Sequence, residues 1–338
     1  MSTYPTLEQL LESARKRIEV EPAELDEARK RRDAIKAALL EEFPDSRLYV
    51  NGSLAHGDAL TPLTDVDLGV VVLDLDNEFG PGKKGPRSLQ DRAAEAIRAE
   101  LKSEYGDLRV IVKGEKRAVK VRFNDAVREG WDDFHADVIV AIDNPNDDGL
   151  YIPRFHMWDR SHPEAHTQLV LEANDVTENC YARTVRLIKH WNRRWDEPPL
   201  FTWLIKVLAF EAITEPGPLM RLLTEWFGYA AMTIVTGPVP DPVGVGPDLN
   251  PSIAREVAVR RLRNAYDGLV EATKLEAAGY PALAHAKLAQ VFRDPEMLSG
   301  PSHEDLYQEQ LRRQRATVAT VSVASRATTP PVRSWSWI

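Results

Sequence analysis

One stretch constrains this chain more than any other, residues 51–72: Asn-Gly-Ser-Leu-Ala-His-Gly-Asp-Ala-Leu-Thr-Pro-Leu-Thr-Asp-Val-Asp-Leu-Gly-Val-Val-Val. The apolar, β-branched run at 66–73 reads as a buried strand, yet it opens on Asp65 and Asp67. Side chains alternate along a strand. Asp65 and Asp67 therefore share one face, and Val66, Leu68, Val70 and Val72 share the other. Two carboxylates so close repel each other and are costly to desolvate. A divalent cation resolves that conflict, and Mg²⁺ is commonly held by one or two carboxylates together with substrate phosphates. A third carboxylate, Asp137, interrupts the apolar run 134–142, where a buried charge needs a partner. If that strand pairs beside 66–73, the three acids converge, enough for a two-metal site in which one metal activates a hydroxyl and the other holds a triphosphate.

The residues before the Asp-x-Asp supply the phosphate end. A short strand at 48–50 runs into Gly52 and Ser53. Glycine lets a backbone approach a ligand closely. The residues that follow open a short helix, whose free N–H groups favour anions, and the Ser53 hydroxyl can donate to a phosphate oxygen.

Around this stretch the chain divides. Helices are predicted over 6–43 with a break at Pro22, and over 88–105 with Ser88 as N-cap. A strand pair at 109–113 and 117–123 flanks Gly114. Strands interleaved with helices indicate an α/β or α+β sheet unit. Beyond about 165 the pattern is helical: 165–173, 176–196, 201–214, 217–235, 251–278, 282–292 and 303–316. We therefore expect a first unit at 1–165 with an N-terminal helical spine, a helical unit at 166–316, and a flexible tail at 317–338. The 338 residues carry one cysteine, Cys180, so no internal disulfide forms. No apolar run approaches the roughly 20 residues of a membrane span. The first residues have no basic segment followed by an apolar one, so the expected compartment is the cytoplasm. A net charge of −9 argues against stable binding of long nucleic acid.

In this order and with these strand contexts, the residues resemble the DNA polymerase β-like nucleotidyltransferase superfamily, whose pattern is Gly-Ser, a spacer, Asp-x-Asp and a later third acid. The resemblance implies an α+β fold: a mixed sheet with flanking helices, followed by an all-helical domain across a cleft. Further along, Trp158-Asp-Arg-Ser-His-Pro-Glu-Ala-His166, the helix from Tyr181 to Asn192, the segment 200–211 and the Asp241-Pro242 loop are similar to the bacterial cGAS/DncV-like enzymes, the CD-NTases. That similarity runs to about residue 295. It implies a Mg²⁺-dependent synthase that makes cyclic di- or trinucleotide second messengers from ATP and/or GTP, in anti-phage (CBASS) signalling. Asp65, Asp67 and Asp137 would hold two Mg²⁺ ions, or Mn²⁺. Gly52, Ser53, Lys189 and Thr202 would bind the nucleotide; Lys189 falls on the family's triphosphate lysine and Thr202 on the position of its usual serine. His56-Gly-Asp58 stands where many relatives carry a Gly-Thr pair.

Read without the family, Lys189 shares a helix face with Arg186 and Arg193, opposite the apolar stripe of Ile188, Trp191 and Trp195, and would pass for a solvated basic face. Two alternatives stay open. One keeps the chemistry and changes the acceptor to a linear oligoadenylate, a tRNA 3′ end or a small molecule. The other is a non-catalytic nucleotide-binding antitoxin or sensor. Relatives in some defence operons have C-termini recognised by partner proteins, and here Trp335, Trp337 and Ile338 would anchor one.

Overall fold

The computed structural model describes residues 4–127, 130 and 132–327. Helix α1 (Leu7–Arg17) starts at Thr6, whose hydroxyl accepts from the Gln9 N–H while the Gln9 side chain accepts from the Thr6 N–H. Helix α2 (Pro22–Glu42) opens on the proline, which tolerates the first turn because it has no N–H to leave unsatisfied. Strand β1 (Arg47–Asn51), the single turn α3 (Gly52–Ala55) and strand β2 (Asp65–Val72) follow. Then come α4 (Arg87–Leu101), β3 (Arg109–Ile111), β4 (Val119–Arg122) and β5 (His135–Asp143). A hairpin of β6 (Leu150–Arg154) and β7 (Met157–Ser161) completes the sheet. Helices α5 (Pro163–Val176), α6 (Cys180–Arg193), α7 (Thr202–Ala212), α8 (Leu219–Thr236), α9 (Arg255–Ala277), α10 (Pro281–Phe292) and α11 (His303–Ala327) make up the rest.

The sheet runs β1-β2-β5-β4-β3, with β6 attached to β5 and β7 to β6. It is mixed: β2 and β5 are parallel and the other pairs antiparallel. One face carries Val66, Leu68, Val70, Ala136, Val138 and Val140 into a core closed by Ile35 and Leu39 of α2 and by Leu89, Ala93 and Ile97 of α4. That leaves the alternate positions, including the three acids, on the opposite face.

A second core joins α6 to α10 around Trp191, Trp226 and Phe227, and α1 belongs to it. Leu7, Leu11, Ala14 and Ile18 are buried there, although the division at 165 groups α1 with the sheet. The apolar stripe of α1 is thus spent on the helical cluster, at about 2 kcal/mol for each fully buried leucine, and ties the two units together.

Two local expectations are corrected and one element is added. Ser88 lies inside the first turn of α4, which is preceded by Pro86 without a side-chain cap. The β6–β7 hairpin is an element that the sequence reading leaves unassigned, and β6 contains Pro153, a residue that interior strands exclude. The strand tolerates it: β6 meets β5 only at Tyr151 and Leu150, so Pro153 lies beyond that ladder. Helix α11 continues to Ala327 rather than stopping at 316. The anchor residues Trp335, Trp337 and Ile338 lie outside the described residues. Among the described residues no helix is long and apolar enough to cross a membrane.

Candidate functional site

Parallel pairing of β2 with β5 places Asp67 directly beside Asp137 and Asp65 beside His135. Residues opposite each other on neighbouring strands point to the same side of a sheet, so the three carboxylates share one face. Gly52 shapes their surroundings. Its φ is +74°, and a Cβ there would lie 1.8 Å from Asp67 Oδ2. The turn after β1 therefore closes over the Asp67 carboxylate only because residue 52 has no side chain. Burial, then repulsion from Asp65 and Asp137, pushes the Asp67 carboxyl up to about 7. Burial likewise raises Asp137, against the opposing pull of Lys120, whose Nζ is 3.7 Å from Oδ1. That Oδ1 is buried without a hydrogen-bond donor. Among the described residues no three Asp, Glu, His or Cys side chains are already gathered into a metal cage. The donor chemistry nevertheless fits a hard divalent cation: clustered, partly desolvated carboxylates short of positive charge.

Positive charge stands on the helical side. Lys189 of α6 places Nζ 2.8 Å from Asp58 Oδ1, and Lys206 of α7 places Nζ 2.8 Å from Asp58 Oδ2. Burial opposes charge on Asp58, but the two lysines outweigh it and hold the carboxyl down to about 2. Lys206 is itself 2% exposed, and burial lowers its pKa against the pull of Asp58. Its ammonium also donates to His56 Nδ1. That assigns the His56 proton to Nε2, which donates to Thr167 Oγ1 at 3.1 Å; the threonine hydroxyl in turn donates to Asn51 Oδ1 at 3.1 Å. Burial, reinforced by Lys206, keeps this imidazole neutral with its pKa lowered to about 3. A directed chain of hydrogen bonds so runs from the helical unit to the end of β1, beside Gly52 and Ser53.

Between the sheet face and these helices lies a cleft of about 860 Å³. Gly52, Ser53, Asp65 and Asp67 line one wall, and Lys189, Thr202 and Lys206 another. At a third side, His166 stands 4.4 Å from the Trp203 ring and is bound through Nε2 to Asp241 Oδ1 at 2.9 Å. The other Asp241 oxygen accepts from the Gly246 N–H at 2.9 Å, so the irregular loop after α8 is fixed as part of the wall.

No family model matches the sequence, and no curated protein is similar to it. Solved structures are. The chain is similar to CdnC of E. coli MS115-1, solved with ATP, over 88% of this chain and 99% of that one, at TM-score 0.63 and 17% identity. It is similar to the CD-NTase CdnG of Bradyrhizobium diazoefficiens, solved with GTP, over 85% and 98% at TM-score 0.61 and 14% identity. It is also similar to DncV of Vibrio cholerae, a cyclic AMP-GMP synthase, over 84% and 85% at TM-score 0.54 and 13% identity.

The chain has the CD-NTase fold. Within that fold, Gly52, Ser53, Asp65, Asp67, Lys189 and Thr202 all border one cleft. Asp137 sits at its edge, in register with Asp67 and two residues before the lining residue Ile139. The basic face of α6 is solvated only at its end: Lys189 is half-buried and Arg193 exposed. Arg186 is buried and gives its guanidinium to the carbonyls of Gly57 and Ala59 and to Glu19, which makes it structural. Arg193 lines the cleft and donates to the Thr61 carbonyl. The sequence reading missed Lys206 and the role of Asp58. A signal was present: Lys206 is a lone charge in the apolar run 203–210, one turn after Thr202 and so on the same helix face. The argument that singled out Asp137 applies to it equally.

Proposed function

We propose that this chain is a CD-NTase, a divalent-cation-dependent nucleotidyltransferase that joins ATP and/or GTP into a cyclic di- or trinucleotide second messenger. The reading draws its main support from one arrangement: three acids on one sheet face, opposed across a nucleotide-sized cleft by two lysines. ATP- and GTP-bound relatives of the same fold add to it. The units 1–165 and 166–316 would then be the two walls of the cleft, and the cytoplasm, where the triphosphates are, its compartment. A CBASS role follows from the same reading.

In this scheme Asp65, Asp67 and Asp137 would hold two Mg²⁺ ions, which would supply acidification of the acceptor ribose hydroxyl and charge neutralisation of the leaving pyrophosphate. Ser53 and the backbone at Gly52 bind the donor phosphates from the sheet side. Lys189, Lys206 and Thr202 bind them from the helical side. The protein thus acts by positioning and fixed charge rather than by covalent chemistry. Two successive transfers, with the linear intermediate turned round in the cleft, close the ring.

The test is incubation with labelled ATP and GTP and Mg²⁺, then phosphatase treatment and mass spectrometry. Cyclic products resist the phosphatase and support the reading. Linear triphosphate-ended products, which are trimmed to a free 5′ hydroxyl and change mass accordingly, would move it to another acceptor. No product at all, with nucleotide still bound, would make the chain a sensor.

A further inference from the structure

Asp58 occupies an unusual place beside the cleft. It is fully buried, and each carboxylate oxygen faces one ammonium group at 2.8 Å. Lys189 also donates to the Asp58 carbonyl at 2.9 Å. The neighbouring carbonyls are held too: Arg186 donates to Gly57 at 2.7 Å and to Ala59 at 3.1 Å, and Asn174 donates to His56 at 3.0 Å. With the carbonyls of His56, Gly57 and Ala59 bonded to Asn174 and Arg186, the backbone cannot follow a lysine that moves. Asp58 is therefore a fixed anion, while each lysine reaches it through a four-carbon stem whose rotation would redirect the ammonium group into the cleft that both lysines line. Two positive charges against one negative leave one in excess, at the point where the cleft is lined by both lysines. Asp67, across the cleft, feels both of them as well.

We propose that Asp58 is a positioning residue that acts as an internal counter-anion: it fixes Lys189 and Lys206 in the empty cleft and competes with the incoming triphosphate for them. The inference rests on the triphosphate reading of the cleft. It gives Asp58 two opposed effects. Its charge weakens phosphate binding, and its geometry keeps both ammonium groups where the bound phosphates need them.

The test uses the full chain, inorganic tripolyphosphate and titration calorimetry in EDTA, with turnover of ATP and GTP measured separately in Mg²⁺. Asp58→Asn is expected to bind tripolyphosphate about tenfold tighter, as removal of one nearby charge predicts, and with a steeper salt dependence. Its kcat is expected to fall by about tenfold as the lysines lose their register. Lys206→Met leaves Asp58 and Lys189 as a neutral pair, and is expected to bind about tenfold more weakly although Lys189 is untouched. This second variant keeps the proposal open to refutation even if Asp58→Asn does not fold. Tripolyphosphate binding that is unchanged or weaker in Asp58→Asn, or unchanged in Lys206→Met, overturns the proposal alone. A wild-type chain that binds no tripolyphosphate overturns the triphosphate reading along with it.

Discussion

Asp58 and Asp67 are aspartates of one site, Asp58 fully buried and Asp67 half-buried in the cleft wall, both within the field of Lys189 and Lys206. They sit at opposite ends of the carboxylate range, Asp58 held down to about 2 and Asp67 pushed up to about 7. Burial raises both. What separates them is the sign of the nearest charges: two ammonium groups in contact with Asp58, two further carboxylates beside Asp67. One anion has its cations built into the fold. The other is left in surplus, and a binding site is where such a surplus is useful.

The largest effect is expected from removing that surplus. Asp67→Asn should lower turnover by at least ~10³-fold, because a lost metal ligand removes stabilisation of the transferring phosphoryl group. Its circular dichroism should match the wild type. Collapse of the fold would mean that Asp67 is structural, and the contrast with Asp58 would disappear.

Gly52→Ala attacks the same carboxylate indirectly. The new Cβ collides with Asp67 Oδ2 from a backbone with φ of +74°, so Asp67 must move. We expect kcat to drop about 10²-fold, with roughly 1–3 kcal/mol lost in urea unfolding.

Acid stability sharpens the comparison. His56 and His190 are buried and neutral, with pKa values lowered to about 3 and about 4. Below about 6.5 the unfolded chain binds protons at both that the folded chain does not, so stability falls as pH drops from 6.5 towards 4. Asp67 works the other way: between about 4 and 7 the folded chain holds its proton and the unfolded chain has released it, so stability falls as pH rises. The two slopes partly cancel in the wild type. Metal-free Asp67→Asn should therefore show a pH slope steeper by about 1.4 kcal/mol per unit between 4.5 and 6. Equal slopes would show that Asp67 titrates normally.

The smallest effect is ligand stabilisation. At pH 8, saturating Mg²⁺ should stabilise the wild type by about 1–2 kcal/mol and Asp67→Asn by clearly less. Equal thermal shifts would place the ion elsewhere.

The acidic side of the site was legible in the sequence because strands carry their geometry in a simple alternation. Asp-x-Asp before a valine run fixes a shared face, and an apolar strand broken once by Asp137 marks its neighbour. The cationic side was less legible. Lys189 was named through family resemblance, and its helix alone read as a solvated face. Lys206 and Asp58 lie far apart in sequence and meet only through tertiary packing of α7 on the loop after α3, which no local periodicity encodes. The fold divides in the same way. The sheet strands with clean alternation were placed, whereas the hairpin containing Pro153 was not, since its tolerance depends on where β5 stops pairing. Helix α1 has an obvious apolar stripe, but nothing in the stripe says which core it joins.

The bonded segment 56–59 has a consequence for how a reaction of two successive steps would proceed. Asn174 of α5 and Arg186 of α6 rivet the loop after α3 to the helical unit through the carbonyls of His56, Gly57 and Ala59, so the jaws cannot swing apart there without breaking these bonds. A linear intermediate that has to be reversed between the first bond and the second must tumble inside a rigid vice, or leave through its mouth and re-enter.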